Sequence, residues 1–107
     1  MSESLTFDQF WEAQAEWSRA TFGADNVRGP IGPLRHLAKE AVEAQEKPAD
    51  VMEYADCLFL VIDAARRAGF SCKQLLGAAT EKLQINKMRT WPKPEAANDH
   101  LWAQSGG

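Results

Sequence analysis

The 107-residue sequence has little of what marks several common classes of protein. It contains two cysteines, Cys57 and Cys72, at wide spacing and outside any CxxC motif, so no disulfide framework is predicted. No apolar run reaches the ~18 residues needed to span a bilayer, and the N-terminus lacks the regions of a signal peptide. The net charge of −3 argues against the basic surface that nucleic-acid polymers require. We therefore expect a cytoplasmic protein that binds neither membranes nor nucleic-acid polymers.

What the sequence does contain is helical periodicity, interrupted by capping and stop signals. The first helix is predicted over about residues 7–22, between a capping box of Thr6 with Gln9 and a glycine stop at Gly23. Asp50 and Glu53 have the spacing of another capping box, and Ser71 and Gln74 are placed to open the last helix. The later helices are predicted from Pro33 to near Lys47, from Val51 to Ala68, and from about Ser71 to about Arg89.

The predicted fold is all-α, with four main helices in an antiparallel bundle. The third helix is apolar nearly all round, and we expect it to be the central one. Trp11 and Trp17 fall at core-like helical positions and are interpreted as packing residues. Residues 1–91 are predicted to form a single helical domain, and residues 92–107 a polar, flexible C-terminal tail.

Two pairs of carboxylates carry most of the chemical information. Glu40 and Glu43 are three residues apart on the second helix, and Glu53 and Asp56 are three apart on the third, so each pair shares one helix face. The short connection predicts an antiparallel hairpin, which places the two pairs at the same distance from the turn. Four carboxylates at one height repel each other unless a cation lies between them. Oxygen ligands suit Mg²⁺ or Mn²⁺.

The same carboxylates have a second interpretation. Glutamates three apart are common on solvated helix faces, so Glu40 and Glu43 alone indicate little. Glu53 and Asp56 are harder to explain in that way, because they interrupt an apolar helix. The two pairs together favour a metal site over a solvated face.

Two further polar positions lie near these carboxylates. Asp63 lies on the same stripe as Glu53, but it could pair with Arg66 or Arg67 instead of binding a metal ion. His36 lies one turn before Glu40 and receives no role, because a lone histidine is more often a surface residue than a ligand.

Lys82, Asn86 and Arg89 form one stripe of the fourth helix. Two cations with an amide between them suit the oxygens of a phosphate chain. Such a stripe alone usually faces solvent, but beside a carboxylate–metal cluster it indicates phosphate binding. Trp91 follows the stripe and could stack on a base or seal the helix end.

These motifs resemble those of the MazG-like all-α nucleoside triphosphate pyrophosphohydrolases. Residues 40–43 (Glu-Ala-Val-Glu) and 53–56 (Glu-Tyr-Ala-Asp) are similar to the ExxE…ExxD signature of that family. Residues 55–69 resemble its central helix, and residues 82–91 resemble its closing motif. Residues 16–23 resemble those of a narrower branch, often encoded by phages or prophages, described as dATP/dGTP diphosphohydrolases.

The resemblance implies hydrolysis of a (deoxy)nucleoside triphosphate, in this branch a purine one such as dGTP or dATP, to the monophosphate and pyrophosphate. It implies that all four carboxylates hold Mg²⁺, or Mn²⁺ in its place, and that Glu40 and Glu43 are catalytic, one of them as general base. It assigns the stripe of the fourth helix to the phosphates or the sugar. It also implies homodimers or homotetramers that complete the bundle.

Two other functions fit the sequence. The chain could be a catalytically inactive nucleotide- or metal-binding helical module, which would keep its affinity for metal ions without releasing pyrophosphate. It could also be a structural helical oligomer with surface carboxylates, which would bind no Mg²⁺. The intact set of four carboxylates favours the enzyme.

Overall fold

A computed structural model describes residues 4–90 of the chain, and these contain four α-helices and no strand. The helices are α1 (Phe7–Phe22), α2 (Ile31–Glu46), α3 (Val51–Arg67) and α4 (Cys72–Met88). The predicted all-α fold with four helices is therefore confirmed. Among the described residues, no helix combines the length and the apolar character needed to cross a membrane. The predicted tail, residues 92–107, and Trp91 lie outside the described residues.

Local signals explain where α1 and α4 begin. The hydroxyl of Thr6 accepts a hydrogen bond from the Gln9 backbone N–H at 3.2 Å, and the Gln9 side chain accepts one from the Thr6 N–H at 2.9 Å. Ser71 and Gln74 form the same reciprocal pair, at 3.1 and 2.8 Å. Both are capping boxes, which satisfy backbone donors that have no partner inside the helix. The first was predicted as a capping box, and Ser71 and Gln74 were expected to open the last helix.

One helix start and one helix cap differ from the prediction. α2 begins at Ile31, two residues before the predicted start, and Pro33 is accommodated in its first turn because a backbone N–H there has no acceptor within the helix. The capping box predicted for Asp50 with Glu53 is wrong. The Asp50 carboxylate instead accepts from the Met52 N–H at 3.0 Å, and Glu53 lies beside other carboxylates.

The chain divides into two compact units, Met1–Gly77 and Ala78–Gly107. Within the first unit, α3 packs along α2 and against α1, in agreement with its expected central position. Its core is built on Trp11, Ile62 and Cys72. Burial raises the pKa of the Cys72 thiol to about 11, so this cysteine stays protonated and serves as a packing residue, as expected for a buried thiol.

Glycine positions in this fold give a matched pair of stability predictions. Gly77 lies inside α4, and a Cβ added there meets nothing within 4 Å. We expect Gly77→Ala to raise the free energy of unfolding by about 0.5–1 kcal/mol, because alanine loses less backbone entropy in a helix. Gly69 has a φ of 98°, which is unfavourable for any residue with a Cβ. Gly69→Ala should therefore lower the free energy of unfolding by about 1–2 kcal/mol. Urea denaturation measures both, and equal effects of one sign would contradict this explanation.

Candidate functional site

The α2–α3 hairpin determines how the predicted metal-binding carboxylates align along the two helices. Its connection is short and closed by local bonds: the Asp50 N–H donates to the Lys47 carbonyl at 3.0 Å, and the Tyr54 hydroxyl donates to the Pro48 carbonyl at 2.8 Å. Helices joined in this way run antiparallel, so residues equally far from the turn lie side by side.

Three of the four predicted carboxylates come together in this hairpin. Glu40, Glu43 and Glu53 each have a carboxylate oxygen within 4.8 Å of the others. Asp56 is not part of this group, although it was predicted to lie at the same point. The aspartate side chain is one methylene shorter, which reduces its reach from α3. Asp56 instead lines a cleft together with Glu40.

Glu53 is the buried member of the group. It is 8% exposed, and its Oε2 has no hydrogen-bond partner among the described residues. Its Oε1 lies 4.0 Å from the ammonium of Lys47, which is largely exposed. Burial raises the pKa of the Glu53 carboxyl, and the charges of Glu43, Asp50 and Asp56 raise it further, against the opposing effect of Lys47. An unpaired buried carboxylate is costly, and a divalent cation would relieve that cost. This donor set fits a hard cation such as Mg²⁺.

His36 adds a contact that the sequence did not predict. Its Nε2 lies 3.1 Å from Oε1 of Glu40, one turn away on α2. Partners of this kind orient the carboxylates that surround a metal ion. His36 and Glu40 are four residues apart, which is the spacing of neighbours on one helix face, but a single exposed histidine is too common to indicate a role.

A cleft of about 570 Å³ adjoins the carboxylate group at Glu40. Pockets of this size hold small organic ligands. Its polar end near the hairpin turn contains Glu40 and Asp56. Aromatic rings from two helices form another part of its wall: Trp17 and Phe22 from α1 and Phe59 from α3. Trp17, expected to pack in the core, is half exposed here, whereas Trp11 is buried as expected.

The far end of the cleft is formed by a buried ionic network centred on Asp63. Its Oδ1 accepts hydrogen bonds from Ser18 at 2.6 Å, Arg66 at 2.6 Å and Gln14 at 3.2 Å. Its Oδ2 accepts from Nε of Arg67 at 3.2 Å. Asp63 is therefore a salt-bridge partner of both arginines, one of the two roles left open by the sequence.

The hydrogen bonds to Asp63 determine its charge state. Burial by itself raises the pKa of this carboxyl, but the bonds from Ser18, Arg66 and Gln14 and the charge of Arg67 outweigh burial and lower it. Asp63 is thus held as a carboxylate. All five side chains are buried and bonded to one another, which locks α1 against α3 behind the cleft.

Arg67 also fixes the loop between α1 and α2. Its Nη1 donates to the backbone carbonyls of Arg28 at 3.1 Å and Ala24 at 3.5 Å, and its Nη2 donates to the Ser18 hydroxyl at 2.8 Å. The loop residues Arg28 and Gly29 form part of the cleft wall. The position of that wall therefore depends on a side chain of α3.

The basic stripe belongs to the second unit. Lys82 and Asn86 lie on α4, and Arg89 follows its last residue. Lys82 and Arg89 are exposed, and Asn86 is partly buried. Their predicted phosphate-binding role stays a prediction.

Comparisons with known proteins identify relatives of this chain. A family model described as dATP/dGTP pyrophosphohydrolase matches residues 10–105. Over 87 residues, 81% of this chain, the sequence is 51% identical to the Eaa protein of Salmonella phage P22, and the matched stretch is 26% of that protein's length. The chain thus spans about a quarter of this phage relative. No solved structure matches the chain. Because the family model covers most of its residues, the chain belongs to the dATP/dGTP pyrophosphohydrolase family.

Proposed function

We propose that this protein is a Mg²⁺-dependent pyrophosphohydrolase that converts a purine deoxynucleoside triphosphate, dGTP or dATP, to the monophosphate and pyrophosphate. The observation that carries the proposal is Glu53, a buried carboxylate with an unpartnered oxygen beside Glu40 and Glu43. Family membership supports the substrate class. The cleft that begins at Glu40 and Asp56 offers a volume suited to a nucleotide.

The residues that would hold the metal ion are Glu40, Glu43 and Glu53, and Asp56 lines the adjoining cleft together with Glu40. Mn²⁺ should substitute for Mg²⁺, since both accept oxygen ligands. A bound divalent ion would neutralise charge that develops on the phosphate oxygens and lower the pKa of a water molecule.

Within the chain, Glu40 and Glu43 are the proposed catalytic residues, one of them removing the proton from the attacking water. Glu40 is the stronger candidate for general base, because it lines the cleft and its Oε1 is contacted by His36. His36 would then keep the Glu40 carboxylate in a fixed orientation. Lys82, Asn86 and Arg89 are proposed to bind the phosphates or the sugar, as the family resemblance implies.

Oligomerisation is a further part of the proposal. Several large apolar side chains of α2 and α3 are exposed in the described chain, among them Leu34, Val42 and Leu58. Association into a homodimer or homotetramer would bury such side chains. Size-exclusion chromatography with light scattering distinguishes these states from a monomer. The cytoplasmic location expected from the sequence stays a prediction.

The main alternative is a helical module that binds nucleotides or metal ions without hydrolysing them. The carboxylate group and the cleft suit that module equally well. What favours the enzyme is the family match together with the presence of all four acidic residues of the predicted site in this sequence.

The test is product analysis with a panel of ribo- and deoxynucleoside triphosphates, in Mg²⁺, in Mn²⁺ and in EDTA. We expect metal-dependent formation of monophosphate and pyrophosphate, fastest with dGTP or dATP, and loss of that activity in Asp56→Asn. Carrying out the reaction in ¹⁸O-labelled water should place the label in the monophosphate if water attacks the α-phosphorus. Label in pyrophosphate, release of inorganic phosphate, or no reaction with folded protein and Mg²⁺ would contradict the assigned reaction.

A further inference from the structure

The aromatic side chains of the cleft form a connected cluster. The ring centroids of Trp17 and Phe59 are 5.4 Å apart with an interplanar angle of 69°, and those of Trp17 and Phe22 are 5.5 Å apart at 85°. Both contacts are edge-to-face, the arrangement that aromatic pairs favour. Trp17 is therefore the central ring, held by one phenylalanine of its own helix and one of α3.

This cluster is left open to solvent. Trp17 is 50% exposed and Phe22 is 45% exposed, although both belong to the wall of a cleft. Large aromatic surface is costly to leave in water, and its position in a concave site marks it as ligand-binding surface. The network of Asp63 and Arg67 behind the cleft supports the two helices that carry these rings.

The cleft has two chemically different ends. Glu40 and Asp56 lie near the hairpin turn, whereas Asp63 and Arg67 line the cleft two to three turns further along α3. At 1.5 Å per residue, Asp56 and Asp63 are separated by roughly 10 Å along the helix axis. Phe59 lies between these levels, and Trp17 packs on it. The rings therefore lie next to the acidic end of the cleft, and a nucleotide has two matching parts, charged phosphates and a flat base.

We infer that Trp17, Phe22 and Phe59 bind the base of the substrate by stacking, while its phosphates lie toward Glu40 and Asp56. This inference rests on the proposed function, since it takes the occupant of the cleft to be a nucleotide. Asp63 and Arg67 are committed to bonds within the protein, so the rings supply the contact with the base. Every base has a flat face, and the larger purine ring gains more contact from stacking. The rings therefore favour purines over pyrimidines.

Steady-state kinetics of Trp17→Leu and Phe59→Leu test the inference. Loss of stacking should raise KM for dGTP and dATP by roughly tenfold or more and leave kcat within about twofold, because the contact is equal in ground and transition states. The preference for purine over pyrimidine triphosphates should shrink, and Trp17→Phe should restore most of it. The control is Phe70→Leu, an equally exposed ring outside the cleft lining, which should change neither constant.

A second measurement keeps this inference separate from the proposed reaction. Binding of purine deoxynucleosides, which carry no phosphate, can be followed by saturation-transfer NMR in the absence of metal ions. Wild type and Phe70→Leu should bind them, and Trp17→Leu should bind them at least several-fold more weakly, whether or not any triphosphate is hydrolysed. Equal deoxynucleoside binding in wild type and folded Trp17→Leu, or unchanged KM values in both cleft variants, would overturn the inference even in an active enzyme.

Discussion

Glu53→Gln is expected to lower kcat/KM for pyrophosphate release by more than ~100-fold, because a metal ion supplies several kcal/mol of transition-state stabilisation. Glutamine keeps the size of the side chain and removes its charge. Glu53 is buried and its Oε2 has no partner among the described residues, so its carboxylate is the member of the group with most to gain from a cation. The matched control is Glu46→Gln, an exposed glutamate of the same hairpin, which should retain activity.

The response to metal ions provides a readout of this prediction that does not depend on activity. At a metal concentration 100 times its Kd, wild type should gain about 2.7 kcal/mol in free energy of unfolding. Glu53→Gln should lose most of that gain, and Glu46→Gln should keep it. Metal-induced stabilisation of equal size in wild type and Glu53→Gln would place the metal site elsewhere.

The metal-free protein should respond to Glu53→Gln in the opposite direction. The pKa of Glu53 is raised in the folded state, chiefly by burial, so the folded protein loses stability as the pH rises through the range in which this carboxyl ionises. The variant lacks that loss and should be the more stable protein in EDTA at neutral pH. A structural oligomer without a metal site would show the same gain in EDTA, so the response to Mg²⁺ is what separates the two functions.

Asp63→Asn is expected to lower the free energy of unfolding by about 3–5 kcal/mol, the cost of breaking a buried ion pair from one side. Asp63 is the shared acceptor for Arg66 and Arg67, and both arginine side chains are almost fully buried. An amide leaves Arg67 without its counter-charge and leaves Arg66 with Asp25 as its acidic partner. Asp25→Asn is the control: Asp25 is more exposed, and Arg66 keeps its bond to Asp63 in this variant, so the loss of stability should be clearly smaller.

The pH dependence of stability identifies the charge as the cause. The pKa of Asp63 is lowered in the folded protein, so its contribution is complete above the unfolded pKa of about 3.9 and disappears as the pH falls through the lower folded value. Wild type should therefore lose stability in acid more steeply than Asp63→Asn. Urea denaturation between neutral pH and about pH 3 gives both curves, and parallel curves would assign the role of Asp63 to packing alone.

The sequence was sufficient for most of what depends on neighbours along the chain, apart from the start of α2 and the capping box of Asp50 with Glu53. Capping boxes and the short connection at Pro48 determine where helices begin and how α2 and α3 align, so the meeting of Glu40, Glu43 and Glu53 followed from spacing. The length of a side chain is a finer property than helical spacing, and for that reason Asp56 was placed too close to the group.

Contacts between distant segments could not be predicted in the same way. Trp17 and Phe59 are on different helices, and helical periodicity says nothing about how α1 is rotated against α3. The same limit applies to Asp63: the sequence left open whether it binds a metal ion or pairs with Arg66 or Arg67, and only packing shows that Ser18 and both arginines meet it. A half-exposed tryptophan at a core-like spacing was therefore interpreted as a core residue.

The attachment of Arg67 to the loop carbonyls of Ala24 and Arg28 has a consequence for how this protein can change over evolutionary time. Every residue type presents the same backbone carbonyl, so the bonds survive when the loop side chains are exchanged. The Arg28 side chain lines the cleft, and its replacement alters the wall without loss of the anchor. Substitutions of Arg28 can therefore change which ligands the cleft prefers while the fold is kept, because they cost little stability.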